Sequence, residues 1–241
     1  MKKSVAIVLT GLAVGLGFIS ESRADERSWA WSPLGIGLAA PLQLPFIESD
    51  VYGLRLGGFF GYNHDVYGLD VGVAEMTGGD FMGVQASAMS WTRGLAYGVQ
   101  CAGLANVVFG NATGLQVSPV NVDWGDTIGL QIGCVNYDSN FKGIQVGGIV
   151  NWNTTMVYGL EIGAVNANQN EIAGCAIAGF VNYSEKFTGF ALSPVNVSYE
   201  VEGCQIGVVN ACDRLHGVQL GVINMITESK LPIMVLANAS F

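Results

Sequence analysis

The chain repeats itself at an interval too short for anything but strands. Gly129 to Asn136 reads Gly-Leu-Gln-Ile-Gly-Cys-Val-Asn, and near copies stand on both sides. Their leading glycines are Gly53, Gly68, Gly83, Gly98, Gly114, Gly129, Gly143, Gly159, Gly174, Gly189, Gly203 and Gly217, spaced 14 to 16 residues apart. Twelve units cover Val51 to Met225. A glycine inside every unit, flanked by β-branched residues, disfavours helix and favours short strands. Units of this length bury their apolar face by stacking on neighbours.

Aligned, the units resolve into columns. Two residues before the leading Gly stand Val51, Val66, Phe81, Ala96, Ala112, Thr127, Phe141, Val157, Ile172, Phe187, Val201 and Leu215, nearly all apolar. Two residues after it lies a mostly polar column that includes Gln85, Gln100, Gln116, Gln131, Gln145, Gln205 and Gln219, with Ala176 and Ala191 as interruptions. Aliphatics such as Leu130 and Ile132 flank that column. A second small residue follows, then a β-branched one, and Asn closes nine consecutive units: Asn106, Asn121, Asn136, Asn151, Asn166, Asn182, Asn196, Asn210 and Asn224.

Two all-β architectures fit. In a parallel β-solenoid of about twelve coils, equivalent residues stack about 4.8 Å apart and the rod is about 55 Å long. Five apolar positions per unit then point inward, the Asn column forms a ladder of amide bonds, and the Gln column is an exposed binding surface. The alternative is an antiparallel outer-membrane-type barrel of about 12–14 strands. Its apolar set spans four residue steps, about 10 Å after tilt, against the roughly 25 Å band such barrels carry. Ser118-Pro119-Val120-Asn121-Val122 also recurs as Ser193-Pro194-Val195-Asn196-Val197, five units on. An odd offset puts the copies at opposite rims of a barrel but on one side of a solenoid, so the solenoid is preferred. Alternation from Ile233 to Phe241 speaks for the barrel.

The ends divide the chain further. A basic start at Lys2 and Lys3, an apolar run from Val5 to Ile19 and small residues at Ser22 and Ala24 mark residues 1–24 as a secretory signal peptide. Residues 25–50 form an N-terminal cap or first strand, 51–226 the repeat domain, and 227–241 a C-terminal cap or last strand.

The run of Gly-aliphatic-Gln-aliphatic-Gly-x-Val-Asn units resembles the family of bacterial, leptospiral-type surface-repeat-containing proteins, from about Val51 to Phe241. The resemblance implies an outer-surface or outer-membrane-associated location and brings no activity, ligand or catalytic residues. The unit is more weakly similar to the coils in the heads of trimeric autotransporter adhesins. The chain departs from those in having no coiled-coil stalk heptads and no separate anchor.

Chemistry-bearing motifs are sparse. With 10 Lys and Arg against 19 Asp and Glu, the formal charge of −9 repels phosphate backbones, so nucleic acid is not an expected partner. The two histidines, His64 and His216, lie in no nucleophile motif. Cys101, Cys134, Cys175, Cys204 and Cys212 make no C-x-x-C pair, so neither a metal site nor a cofactor is expected. Cys175 and Cys204 fall at positions read as inward and buried, and Cys212 is read as the exposed thiol. Turn carboxylates such as Asp65, Asp80, Asp126 and Asp138 recur without a calcium-loop pattern. The expectation is therefore a non-enzymatic, exported cell-envelope or surface protein with a structural or adhesion-like binding role. Its partner would be an envelope component, a glycan or a host-surface ligand, and exposed Tyr52, Tyr67, Tyr97 and Tyr158 would contribute rings. A pore or structural barrel in the outer membrane is the alternative.

Overall fold

The computed structural model describes residues 31–39, 42–45, 49–229 and 232–240. The signal-peptide reading of residues 1–24 and the terminal Phe241 lie outside the described residues. The chain is a parallel β-solenoid of about 13 turns, and the barrel alternative is overturned by its strand pairing. β1 (Trp31–Ala39) pairs with the short β2 (Leu42–Leu44) antiparallel and stacks parallel on β3 (Asp50–Asn63). It supplies a turn beyond the twelve counted from the repeat. The stack continues through β4 (Val66–Val71), β5 (Ala74–Thr77), β6 (Phe81–Thr92), β7 (Ala96–Val108) and β8 (Ala112–Val117). The continuous β9 (Val120–Asn168), β10 (Glu171–Leu192), β11 (Val195–Cys212) and β12 (Arg214–Ile226) follow, every successive pairing parallel. β13 (Ile233–Ser240) turns back antiparallel against β12 and ends the stack.

Register follows the repeat. Gly114 pairs with Gly129, Gln116 with Gln131 and Asn106 with Asn121. Where a unit carries one extra residue the ladder shifts, between Ser87 and Met89 and between Ala178 and Val181, so that the following Asn returns to its column. Each coil thus has a first face carrying the Gly and Gln columns, a corner, a second face carrying the Asn column, and a second corner leading into the next coil.

The leading glycines have a steric cause. All twelve lie at φ between 127° and 147°, a region closed to L side chains. A Cβ on Gly129 would run into the carbonyl oxygen of Gly114 in the coil below. Because this backbone stays extended, alternation passes through the glycine unchanged. The residue two before it and the Gln two after it therefore share a face.

That parity decides the interior, and it overturns the sequence reading. The apolar column two before Gly is inside, with Val51, Phe81, Phe141, Ile172 and Phe187 at 1% exposure or less. The Gln column is inside with it: Gln85, Gln131, Gln145, Gln205 and Gln219 are 0% exposed, Gln100 3% and Gln116 5%. Gln is thus no binding surface. The flanking aliphatics, expected inward, face out, as Ile132 at 39% and Ile144 at 44% exposure show. Cysteines reverse in the same way. Cys212 is buried, Cys175 and Cys204 are partly exposed on the outer face, and all five are free.

Candidate functional surface

The solenoid is built inside out, with amides and carboxyls within and aliphatics without. Inside, the Asn column is a continuous ladder. Asn106, Asn121, Asn136, Asn151, Asn166, Asn182, Asn196 and Asn210 each donate from Nδ2 to Oδ1 of the next Asn, at 2.8 to 3.1 Å. From Asn121 onward the amide also reaches a carbonyl of the following coil, as from Asn136 to Val146 at 3.0 Å and from Asn151 to Ile162 at 2.9 Å, whereas Asn106 turns to Gln100 of its own coil. Asn121 to Asn210 thereby each pin the corner of the next coil. The second glycine of the unit leaves room for this: a Cβ on Gly133 would stand 2.6 Å from Asn136 Oδ1. Where Ser118 and Ser193 replace it, their hydroxyls bond Oδ1 of Asn121 and Asn196 at 3.0 Å.

The Gln column runs parallel to it. Gln100, Gln116, Gln131 and Gln145 each donate to the Gln one coil earlier at 2.8 to 3.2 Å. At the N-terminal end the column closes on a charged cluster. Arg55 grips Asp70 through Nε at 2.7 Å and Nη2 at 2.5 Å, and its Nη2 also lies 3.3 Å from Glu75 Oε2. Gly57, Gly61 and Gly72 surround the Glu75 carboxyl so closely that a Cβ on any of them would overlap it. Further along, Glu161 stands in the Gln column and accepts from Asn153 and Asn168 at 2.9 Å. At Ala176 and Ala191 the amides stop and an apolar cluster with Ile172, Phe187 and Val201 takes over.

Four interior carboxyls are pushed toward their neutral forms, in each case first by burial. Glu75 rises to about 7 despite Arg55, Asp123 to about 6, and Glu161 to about 8. Asp138 is raised well above the ordinary range, burial being reinforced by the adjacent charge of Asp123. Gln131 Nε2 bridges the last two, 2.9 Å from Asp123 and 3.2 Å from Asp138. Buried carboxyls in clefts are candidate catalysts, but these four face a packed stack. The void beside Ala96, Ala112, Gln100 and Gln116 measures about 10 Å³, room for a single water.

Outside, polarity is segregated. The corner that leads into the first face carries Asp50, Asp65, Asp80, Asn111, Asp126 and Asn140 in one column. Their side chains cap the stack, since Asp65 Oδ1 accepts from Asp80 N and Asp80 Oδ1 from Leu95 N, both at 2.7 Å. His64 Nδ1 sits 3.3 Å from both Asp50 and Asp65. These three could offer one ligand each to a cation, but the Asp oxygens already serve as caps. Of the non-buried Asp, Glu, Lys and Arg side chains from Asp50 to Glu228, ten acidic and four basic, all but Lys142 and Glu202 lie within this corner, and those two stand in the column that borders it on the first face.

The opposite corner is the reverse. Its column reads Phe59, Val73, Ala88, Leu104, Pro119, Cys134, Ile149, Ala164, Phe180, Pro194, Val208 and Val222. Phe59, Ile149 and Phe180 are 73%, 60% and 66% exposed. Aliphatics of both faces join this edge into one apolar surface. Aromatic side chains mark its two borders with the polar corner. Tyr52 and Tyr67 stack at 4.8 Å along one border, and Trp91, Phe109, Trp124 and Tyr137 form a run at 5.4 to 6.4 Å along the other.

Sequence reasoning missed this surface because it assigned the aliphatics to the interior. The signal was there, since strict alternation from the buried column two before Gly reaches Gln and passes over Leu130 and Ile132. Among the described residues no helix is long and apolar enough to cross a membrane, which says nothing about strands. Comparison with protein-family models, with curated proteins and with solved structures gives no match for this chain.

Proposed function

We propose that the chain is an exported, non-enzymatic protein of a bacterial cell envelope that acts as a structural or binding rod through its outer surface. The observation that carries this reading is the inside-out solenoid. Most interior polar groups are paired with one another within the stack, while an extended apolar exterior is left to meet something else. Repeat stacks of this kind typically work through extended surfaces. The basic-then-apolar start of residues 1–24 supports export, and the repeat's likeness to surface-repeat proteins supports an envelope location.

Expression of the full chain in a Gram-negative host, followed by fractionation and N-terminal sequencing, tests it. The expected product begins at Asp25 and is found in the envelope fraction. An unprocessed chain in the cytosol overturns the reading.

A further inference from the structure

The apolar exterior has a shape that selects its partner. It covers the first face, the apolar edge and the second face, interrupted by charge only where Lys142 and Glu202 stand in the first-face column that borders the polar corner. A second rod of this chain packed on one face would leave the other face and the edge bare. Only a medium that wraps three sides of the rod covers all of it.

Dimensions point to the same medium. From the residue before the leading Gly to the third residue after it is four steps, or about 13 Å of strand. Half the hydrocarbon core of a bilayer is about 15 Å. Thirteen coils at about 4.8 Å give a rod about 60 Å long, so each face presents about 800 Å², mostly apolar, with Lys142, Glu202 and His216 as exceptions in the first-face border column. The largest patch on an ordinary monomer is about 300–600 Å².

Aromatic placement agrees. From Asp50 to Glu228 every Tyr and Trp lies in the columns beside the polar corner, including Tyr97 and Tyr158 on the first face and Trp152 and Tyr183 on the second, except Trp124 and Tyr199, which stand in the corner itself in the column of Glu185 and Asp213. Tyr and Trp favour the boundary between hydrocarbon and water, where ring and polar tip are both accommodated.

We propose that the rod lies lengthwise in one leaflet of a lipid bilayer, its charged corner at the water surface and the Phe59-to-Val222 edge submerged among the acyl chains. This deepens the preceding reading and rests on it for the location of the surface that acts. Attraction is hydrophobic rather than electrostatic. Ten acidic against four basic side chains at the corner and its border disfavour anionic headgroups, unlike the basic amphipathic helices that seek them.

The test uses the chain from Asp25 onward, purified in detergent and diluted into phosphatidylcholine vesicles. A dye is attached at Ile149→Cys on the apolar edge, or at Asn140→Cys on the polar corner, with Cys101, Cys134, Cys175 and Cys204 replaced by Ala and Cys212 left buried. The expected result is flotation with the vesicles that survives 1 M salt (about 3 Å screening length) and is not strengthened by phosphatidylglycerol. Quenching by lipid-borne nitroxide should be at least about fivefold stronger at position 149 than at 140, with iodide giving the reverse order. Phe180→Lys, on a side chain that points away from the stack, should lower vesicle partitioning at least about tenfold, while Asn170→Lys leaves it unchanged, both retaining strand circular dichroism. A rod that stays off the vesicles and forms lipid-free oligomers shielding position 149 overturns the lipid assignment in favour of a second copy. Because export is read separately by fractionation, an exported chain that ignores vesicles sinks this inference alone.

Discussion

Glu161 stands in its column between Gln145 one coil back and Ala176 one coil on. Both of its oxygens are contacted by asparagine amides, and the Oδ1 atoms of those same two residues, Asn153 and Asn168, are buried without a hydrogen-bond partner. Turning one amide over gives the acid proton an acceptor, so the site suits a neutral carboxylic acid. Its pKa of about 8 exceeds the ordinary glutamate value because burial disfavours the anion. A carboxyl whose folded pKa is raised holds a proton that the unfolded chain has lost, so stability falls as pH rises from about 4.3, the unfolded value, to about 8. The slope from one such group is about 1.4 kcal/mol per pH unit. Glu161→Gln, which keeps size and hydrogen-bonding capacity, is expected to raise the urea midpoint at pH 8 and to leave it nearly unchanged at pH 4. Equal midpoints for variant and parent at pH 8 would contradict a neutral Glu161. Asp123, Asp138 and Glu75 are pushed in the same direction, so the parent stack should tolerate mild acid better than mild alkali.

At the scale of the coil, the ladders replace the hydrophobic core that the narrow interior cannot hold. Asn151 accepts from Asn136 at 2.8 Å, donates to Asn166 at 2.9 Å and to the Ile162 carbonyl at 2.9 Å. Removing it strands two buried amide groups and a carbonyl, and each unsatisfied buried group costs about 1–3 kcal/mol. Asn151→Ala is therefore expected to lose about 3 kcal/mol or more in urea unfolding, while Val150→Ala, on the outward side of the same strand, loses less than about 1 kcal/mol. Comparable losses at the two positions would mean that the ladder contributes little. The spacing of Asn was evident from the sequence, and so was its stacking. What sequence reasoning got backwards was the side of the strand that faces in. It weighted hydrophobicity over alternation at Leu130 and Ile132, and the burial of Thr127 and Gln131, with Ile128 and Ile132 exposed, shows that alternation passes through Gly129 intact.

For the whole molecule, the repeat makes coils interchangeable and registers indispensable. Deleting residues 129–142 removes one unit and sets Gly143 on Gly114, Gln145 on Gln116 and Asn151 on Asn121. Stacks with nearest-neighbour energetics tolerate such a loss, so this variant is expected to retain strand circular dichroism and a cooperative urea transition. Deleting residues 129–135 instead breaks every column at that point and should abolish the cooperative transition. Survival of the second variant would show that column identity does not hold the stack.

Glycine every 14 to 16 residues, with Gln and Asn at fixed distances from it, determined by itself that the chain is a stack of short strands. That period leaves no room for a helix between strands, and the repeated columns have no other way to meet their own kind. Only the tertiary structure decided which columns are inside. A strand offers two faces, Gln and Leu alternate on them, and hydrophobicity alone favours burying Leu. The narrow coil reverses that preference, because amides stacked at strand spacing satisfy one another along most of the rod while the aliphatics are turned outward. Most of the exposed charged residues, scattered along the sequence, become one corner for the same reason: each falls near the same turn of its own coil.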